Sequence, residues 1–268
     1  MHRTATYAGM FSLIFVAALA GCGSFDGVPR GTTSLLDVLV PQTSPTEAAE
    51  MAVDPYSPER RYKGTTLLSN ANFGGLPVYL ELYLDAISDE DPGVRAAGVR
   101  ALGRHGEPEH VPQIIELLGD SDRFVRFEAA RALQRVHSAD AVPVLLETID
   151  ATNETDADVR VAAAEALGQY PESRVVQGLI SALADARLSV NHAVRGSLIT
   201  LTGQDFGVDR GAWLAWVDQS ESLFAGRQPY VYPAFSRSKK PFEYLPFVPQ
   251  PPNETASTPV GLDPTPGE

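Results

Sequence analysis

The only cysteine of the sequence, Cys22, is the side chain whose type and position most directly suggest a chemistry. It follows the apolar run MFSLIFVAALA at residues 10–20, and that run follows the positive charge of Arg3. A single thiol excludes an internal disulfide and any multi-cysteine metal site. The apolar run is too short to span a bilayer, which needs roughly 20 residues, but it has the length and flanks of an export signal. We therefore expect residues 1–21 to be a signal peptide.

Other reactive side chains follow no catalytic pattern. The sequence contains no G-x-S-x-G, G-x-x-x-x-G-K-[ST] or H-E-x-x-H motif. His105, His110 and His137, with Glu107 and Glu109 nearby, could ligate a metal, but their placement in or beside predicted loops favours solvated side chains. We expect no catalytic residue, no metal ligand and no cofactor.

The charge balance of the chain restricts the kinds of molecule that it can be expected to bind. The chain has 34 acidic and 21 basic residues and a formal net charge of −13. Nucleic-acid binding depends on neutralising phosphates, so this balance argues against a general nucleic-acid binder.

The helices of the chain are predicted from an internal repeat of its apolar pattern, which runs from residue 77 to about residue 202. One apolar set has the i, i+3, i+4, i+7 spacing of a helix face. The four copies of this set are Leu80–Ile87, Val111–Leu118, Val142–Ile149 and Val176–Leu183. A second set follows each copy and includes Leu102, Leu133, Leu167 and Leu198, which are 31, 34 and 31 residues apart. Four helix pairs are predicted, and because one pair cannot bury both of its apolar faces, the pairs must stack into an all-α solenoid.

The starts of the second helices support this prediction. Asp91 is a good N-cap, and Pro92 after it suits the first turn of a helix. Asp122 and Asp156 occupy the equivalent positions in the next two repeats.

The segments DPGVRAAGVRALG, DRFVRFEAARALQ and DADVRVAAAEALG resemble the D-x-x-V-R-x-x-A-x-x-A-L-G signature of HEAT repeats of the short, phycobilisome-lyase-like type. The resemblance covers about half of the chain. It implies that the arginines and aspartates of the signature form a structural ladder of ion pairs and helix caps between neighbouring repeats. These residues are Asp91, Arg95, Asp122, Arg126, Asp156 and Arg160.

The tetrapeptide Leu19-Ala20-Gly21-Cys22 resembles the lipobox of bacterial lipoproteins. The resemblance implies that the Cys22 thiol is lipidated and becomes the first residue of the mature chain. The protein would then be exported and held in the bacterial cell envelope by its lipid anchor. With Gly at position 23, the outer membrane or the periplasmic face is favoured over retention at the inner membrane.

The rest of the chain divides by composition. After the fourth repeat we expect a capping helix with Trp213 and Trp216 on one face, and then irregular sequence rich in proline and aromatic residues. The predicted organisation is a signal peptide (1–21), a flexible tether (22–55), a lead-in segment (56–76), the solenoid (77–204), the capping helix (205–224) and a tail with a disordered end (225–268).

One surface is a candidate for partner binding. Arg100, Arg104, Arg131 and Arg135 recur at equivalent positions of the first two second helices, which line the concave face in HEAT folds. They are expected to contact an acidic peptide or an acidic segment of an envelope protein, with Phe127 as an apolar anchor. The alternative is a solvated face paired with nearby Glu128. The expected function is a membrane-anchored scaffold for protein–protein interaction; a lyase-like enzyme or enzyme accessory subunit and a tail-mediated adaptor are the alternatives.

Overall fold

The computed structural model describes residues 43–232, 238–244 and 256–262. In these residues the regular structure consists of eleven α-helices and three short 3₁₀ turns, with no strand longer than an isolated bridge. Residues 239–244 belong to a separate unit, in which Pro241–Tyr244 forms one of the 3₁₀ turns. The signal peptide, Cys22 and the predicted tether up to residue 42 lie outside the described residues.

The helices are α1 (Pro45–Ala52), α2 (Pro58–Asn70), α3 (Pro77–Ala86), α4 (Pro92–His105), α5 (Val111–Glu116), α6 (Arg123–Leu133), α7 (Ala141–Thr148), α8 (Ala157–Leu167), α9 (Ser173–Ala182), α10 (Leu188–Thr202) and α11 (Arg210–Gln219). The first helices of the four predicted pairs are α3, α5, α7 and α9, and the second helices are α4, α6, α8 and α10. Each second helix packs on the next one along the chain. The prediction of an all-α solenoid is confirmed.

The core lies between the two layers of helices. The leucines that define the repeat, Leu102, Leu133, Leu167 and Leu198, are all fully buried. Small residues at neighbouring positions, such as Ala97 and Ala163, are buried as well. The apolar periodicity of the sequence therefore corresponds to one continuous core that runs through all four pairs.

An additional pair, α1–α2, precedes the four predicted ones and corrects the expected organisation. Helix α1 falls in the range expected to be a flexible tether, and α2 falls in the lead-in segment. The two helices pack on each other, and α2 packs on α4. Both start with a serine N-cap before a proline, at Ser44 and Ser57, and Leu68 of α2 is fully buried. The array therefore has five helix pairs within the described residues.

Helix α11 follows the last pair, α9–α10, and packs on α9. Trp213 is fully buried, and its Nε1 donates a hydrogen bond to the carbonyl oxygen of Gly207 at 3.1 Å. Phe206 packs edge-on against the Trp213 ring, and partly buried Trp216 packs beside them. These aromatic rings lie against the apolar core at the end of the array.

Two segments of the tail contact the solenoid. The Gln228 amide donates to the carbonyl of Thr200, and the buried side chain of Tyr230 packs near α8. Further along, Val260 pairs with the turn after α6: its amide donates to the carbonyl of Arg135 and its carbonyl accepts from the amide of His137. Residues 256–262 were expected to be part of a free end, and this contact corrects that expectation for them.

No helix in the described part of the chain is long and apolar enough to cross a membrane.

Candidate functional site

A ladder of ion pairs runs along the loops that join first and second helices. Asp91, Asp122 and Asp156 each cap their own second helix by accepting backbone N–H groups. The arginine one turn into the helix reaches the next repeat and binds an acid two residues before the next cap. The Nε-to-carboxylate distances are 2.8 Å for Arg95–Asp120, 2.6 Å for Arg126–Glu154 and 2.8 Å for Arg160–Asp185.

The ladder also extends into the N-terminal pair, where Arg61 binds Asp89 at 2.6 Å. In the last pair Asn191 stands at the arginine position, and its side-chain amide keeps one contact, donating to the carbonyl of Asp185 at 3.1 Å. The acids that accept the arginines were not identified from the sequence. Their signal is an acidic residue two positions before each cap.

The electrostatics of the ladder favour charged carboxylates. Burial raises the pKa of Asp120, Glu154 and Asp185, but the hydrogen bonds from the arginines and from backbone amides, together with the arginine charges, outweigh it. The pKa of each of these acids therefore lies below its ordinary value. Since the partners are held by packed helices, the ladder fixes the register between repeats.

The predicted basic strip, defined as Arg100, Arg104, Arg131 and Arg135, lies on α4 and α6. Arg100 binds Glu128 at 2.7 Å, and Arg131 lies 3.9 Å from the other oxygen of the same carboxylate. Glu128 is 9% exposed, whereas the Arg100 and Arg131 side chains are 43% and 32% exposed. One buried carboxylate thus serves two partly exposed guanidinium groups, each of which has five N–H donors.

The other residues of the strip contact neighbouring elements. Arg104 donates to the carbonyl of Ser69 and to the side chain of Asn70 at the end of α2. The guanidinium group of Arg135 lies over the ring of Tyr232 in the tail, 5.2 Å from its centroid. Phe127 is half-buried, and the guanidinium group of Arg131 lies 5.7 Å from its ring centroid.

Next to the strip, the same face has a cleft of about 510 Å³ that the sequence did not reveal. We call it the acidic cleft because Glu165 of α8 lines it. It is also lined by His192 and Gly196 of α10 and by Tyr230 and Val231 of the tail. Glu165 stands at the position that Arg100 and Arg131 occupy in the preceding second helices, which is the sequence signal that could have indicated a change of charge.

The histidines considered as metal ligands lie apart from one another. A ring nitrogen of His105 is 2.7 Å from the carbonyl oxygen of Ser69, and His110 is buried beside the backbone of Glu107. His137 stacks on Tyr170 at a centroid distance of 4.8 Å. Among residues 43–232, 238–244 and 256–262, no three His, Cys, Asp or Glu side chains are grouped so that they could hold a metal ion.

Comparison with family models gives two matches. Residues 80–156 match HEAT repeats, and residues 159–185 match the PBS lyase HEAT-like repeat. Both models describe HEAT repeats, the kind of repeat that the signature in these residues resembles. Comparison of the sequence with curated proteins gives no match.

Several solved structures are similar to the chain. Escherichia coli YibA is 21% identical, with 60% of each chain covered and a TM-score of 0.49. The complex of CpcE and CpcF of phycocyanin lyase from Nostoc sp. PCC7120 is 22% identical, with 57% of this chain and 96% of that chain covered and a TM-score of 0.45. A designed armadillo repeat protein is 15% identical, with 68% and 94% covered and a TM-score of 0.46.

Proposed function

We propose that this HEAT-repeat chain is a lipid-anchored scaffold of the bacterial cell envelope, which binds an acidic segment of a partner protein through the basic strip. The observation that carries the proposal is the geometry of Arg100, Arg131 and Glu128. Two guanidinium groups share one buried carboxylate, so the strip has excess positive charge on the surface of a protein with a net charge of −13.

The chemistry of the strip fits a carboxylate-bearing partner. Guanidinium groups bind carboxylates through two parallel N–H donors, and they do so best when their own position is already fixed. Glu128 fixes Arg100 and Arg131 from the buried side. Half-buried Phe127 lies beside them and adds apolar surface for the partner's side chains.

The anchoring part of the proposal depends on Cys22. Each buried CH₂ of an acyl chain contributes about 0.8 kcal/mol, so stable anchoring takes more than one chain. A lipid at Cys22 would leave 22 residues before α1 begins at Pro45, which is enough chain to hold the solenoid away from the bilayer surface.

The partner surface is tested by charge reversal. Arg100→Glu combined with Arg131→Glu should abolish the recovery of partners that wild-type protein isolates from solubilised envelope fractions. The matched control is Arg174→Glu with Arg210→Glu, which changes the net charge equally at exposed positions of α9 and α11. Equal recovery by both double variants would contradict the proposal.

Anchoring is tested separately with Cys22→Ser. We expect the variant either to remain unprocessed or to leave the membrane fraction, as seen by fractionation and by the mass of the N-terminal peptide. A Cys22→Ser protein that is cleaved normally and still sediments with membranes would show that the thiol does not anchor the chain.

A further inference from the structure

The acidic cleft continues the same face on which the basic strip lies. The residues at equivalent positions of α4, α6, α8 and α10 are Arg100, Arg131, Glu165 and Gly196, so the side-chain charge at this position changes sign between α6 and α8. The charge of the face therefore reverses between the second and third repeats. At Gly196 an added Cβ would meet no atom within 4 Å, so the cleft is open beside Glu165.

We propose that the acidic cleft is a second subsite, which binds a basic side chain, arginine or lysine, of the same partner segment whose acidic residues contact the basic strip. This inference rests on the proposed function and adds to it the chemistry of the partner: one segment that has both charges in a fixed order and spacing.

The carboxylate of Glu165 is the first support. Its Oε2 accepts a hydrogen bond from Nε2 of Gln134 at 3.1 Å, and in the described part of the chain no Lys, Arg or His forms an ion pair with it. Burial raises the pKa of Glu165, and the Gln134 hydrogen bond and the Arg131 charge only partly offset this. A half-buried carboxylate in this state gains more from a docked cation than a fully solvated one would.

The tail is the second support, because it completes the cleft. The Tyr230 hydroxyl donates to the backbone carbonyl of Glu165 at 2.9 Å, so the tyrosine ring is fixed as one wall. Val231 of the tail and Val161, one turn before Glu165 on α8, also line the cleft. The cleft thus combines apolar side chains with one carboxylate, beside polar side chains that include His192. Apolar surface next to a carboxylate suits the methylene groups and the charged end of an arginine or a lysine.

The spacing of the partner follows from the repeat geometry. Packed helix axes are about 8–10 Å apart, so the strip and the cleft are one or two helix steps, roughly 10–20 Å, from each other. An extended chain advances about 3.3 Å per residue. The acidic and basic residues of the partner segment should therefore be about three to six positions apart.

The experiment selects peptides from a phage-displayed library of random dodecapeptides on the purified full chain. We expect enriched peptides to contain an Asp or Glu about three to six residues from an Arg or Lys. For one enriched peptide, Glu165→Gln should raise the Kd about tenfold, as should replacement of the peptide's arginine by uncharged citrulline. The two changes together should raise it no further, because each removes the same contact.

The matched control is Glu147→Gln, the same substitution at an exposed position of first helix α7. It should leave the Kd unchanged. Citrulline substitution leaves the protein untouched, so its effect cannot arise from a folding defect.

The outcomes separate this inference from the proposed function. If the effects of Glu165→Gln and citrulline multiply, or if Glu147→Gln acts as strongly as Glu165→Gln, the cleft does not bind the basic side chain. If the double variant Arg100→Glu/Arg131→Glu nevertheless fails to bind the peptide, the basic strip remains the partner site. If the library yields no enriched peptide, both are overturned.

Discussion

Arg160 and Asp185 form the most deeply buried ion pair among the described residues. Nε of Arg160 is 2.8 Å from Oδ2 of Asp185, and only 5% and 3% of the two side chains are exposed. Nη1 of the same arginine donates to the carbonyl oxygen of Glu154, and Asp185 accepts a hydrogen bond from the backbone amide of Arg187. The pair joins the third repeat to the fourth, so its loss should affect the folded state as a whole.

Arg160→Met should destabilise the protein by about 3–5 kcal/mol, because it leaves the Asp185 carboxylate buried without its counter-charge. Urea unfolding followed by circular dichroism measures the change. Arg195→Met is the control, since Arg195 and Asp205 form an exposed pair at the end of the array. Its midpoint should move far less, and equal shifts in the two variants would show that burial of the pair has no energetic role.

The ladder predicts a loss of stability in acid. The pKa values of Asp89, Asp120, Glu154 and Asp185 are lower in the folded chain than their ordinary values of about 3.9 for Asp and 4.3 for Glu. Below these values the unfolded chain binds more protons than the folded chain, so the free energy of unfolding falls as the pH falls. The ladder's contribution should be complete above about pH 5 and lost progressively below about pH 4.

Asp120→Asn isolates one step of this dependence. The variant keeps an oxygen that can accept the Asp122 amide but has no charge for Arg95. Its free energy of unfolding should be lower than wild type at pH 7 and should fall less steeply between pH 5 and 3. Parallel pH profiles for the two proteins would contradict the sign assigned to the pKa shift of Asp120.

Glu165 should behave in the opposite way. Because burial raises its pKa, the folded chain binds more protons than the unfolded chain, and the charged carboxylate costs stability as the pH rises above about 4.3. We expect Glu165→Gln to leave the free energy of unfolding unchanged or higher at pH 7. Glu154→Gln, the same substitution on the ladder, should lower it. A Glu165→Gln protein destabilised as much as Glu154→Gln would show that the charged Glu165 carboxylate stabilises the fold.

The four central pairs could be predicted from the sequence because their apolar residues recur at fixed spacing. The N-terminal pair retains part of that signal: Arg61 and Leu68 are seven residues apart, as are Arg95 and Leu102. The rest of its pattern is replaced, since Arg60 stands where the other repeats have valine. Polar residues at these positions conceal the repeat until the contact of α2 with α4 is seen.

The acidic cleft could not be predicted, because it depends on a contact between distant and non-periodic parts of the chain. Tyr230 and Glu165 are 65 residues apart in sequence, and the tail has no repeat that could align it with α8. The ladder was partly predictable from the sequence. The caps Asp91, Asp122 and Asp156 were visible in the sequence, whereas the acids that accept the arginines lie in loops and were recognised only once the structure showed their contacts.

The contact between α1 and α2 gives a last prediction. A Cβ at Gly64 would lie 2.3 Å from the backbone nitrogen of Ala52 and 2.5 Å from the carbonyl oxygen of Ala48, so any side chain there must separate the two helices. Gly64→Ala should destabilise the N-terminal pair by about 1–3 kcal/mol.

Gly196→Ala, in open space on α10, is the control, and it should instead stabilise the protein by about 0.5–1 kcal/mol because alanine has a higher helix propensity than glycine. Hydrogen exchange should show faster exchange of α1 amides in Gly64→Ala and unchanged exchange there in Gly196→Ala. Unaltered α1 protection in Gly64→Ala would mean that the two helices are not packed as closely as the structure shows.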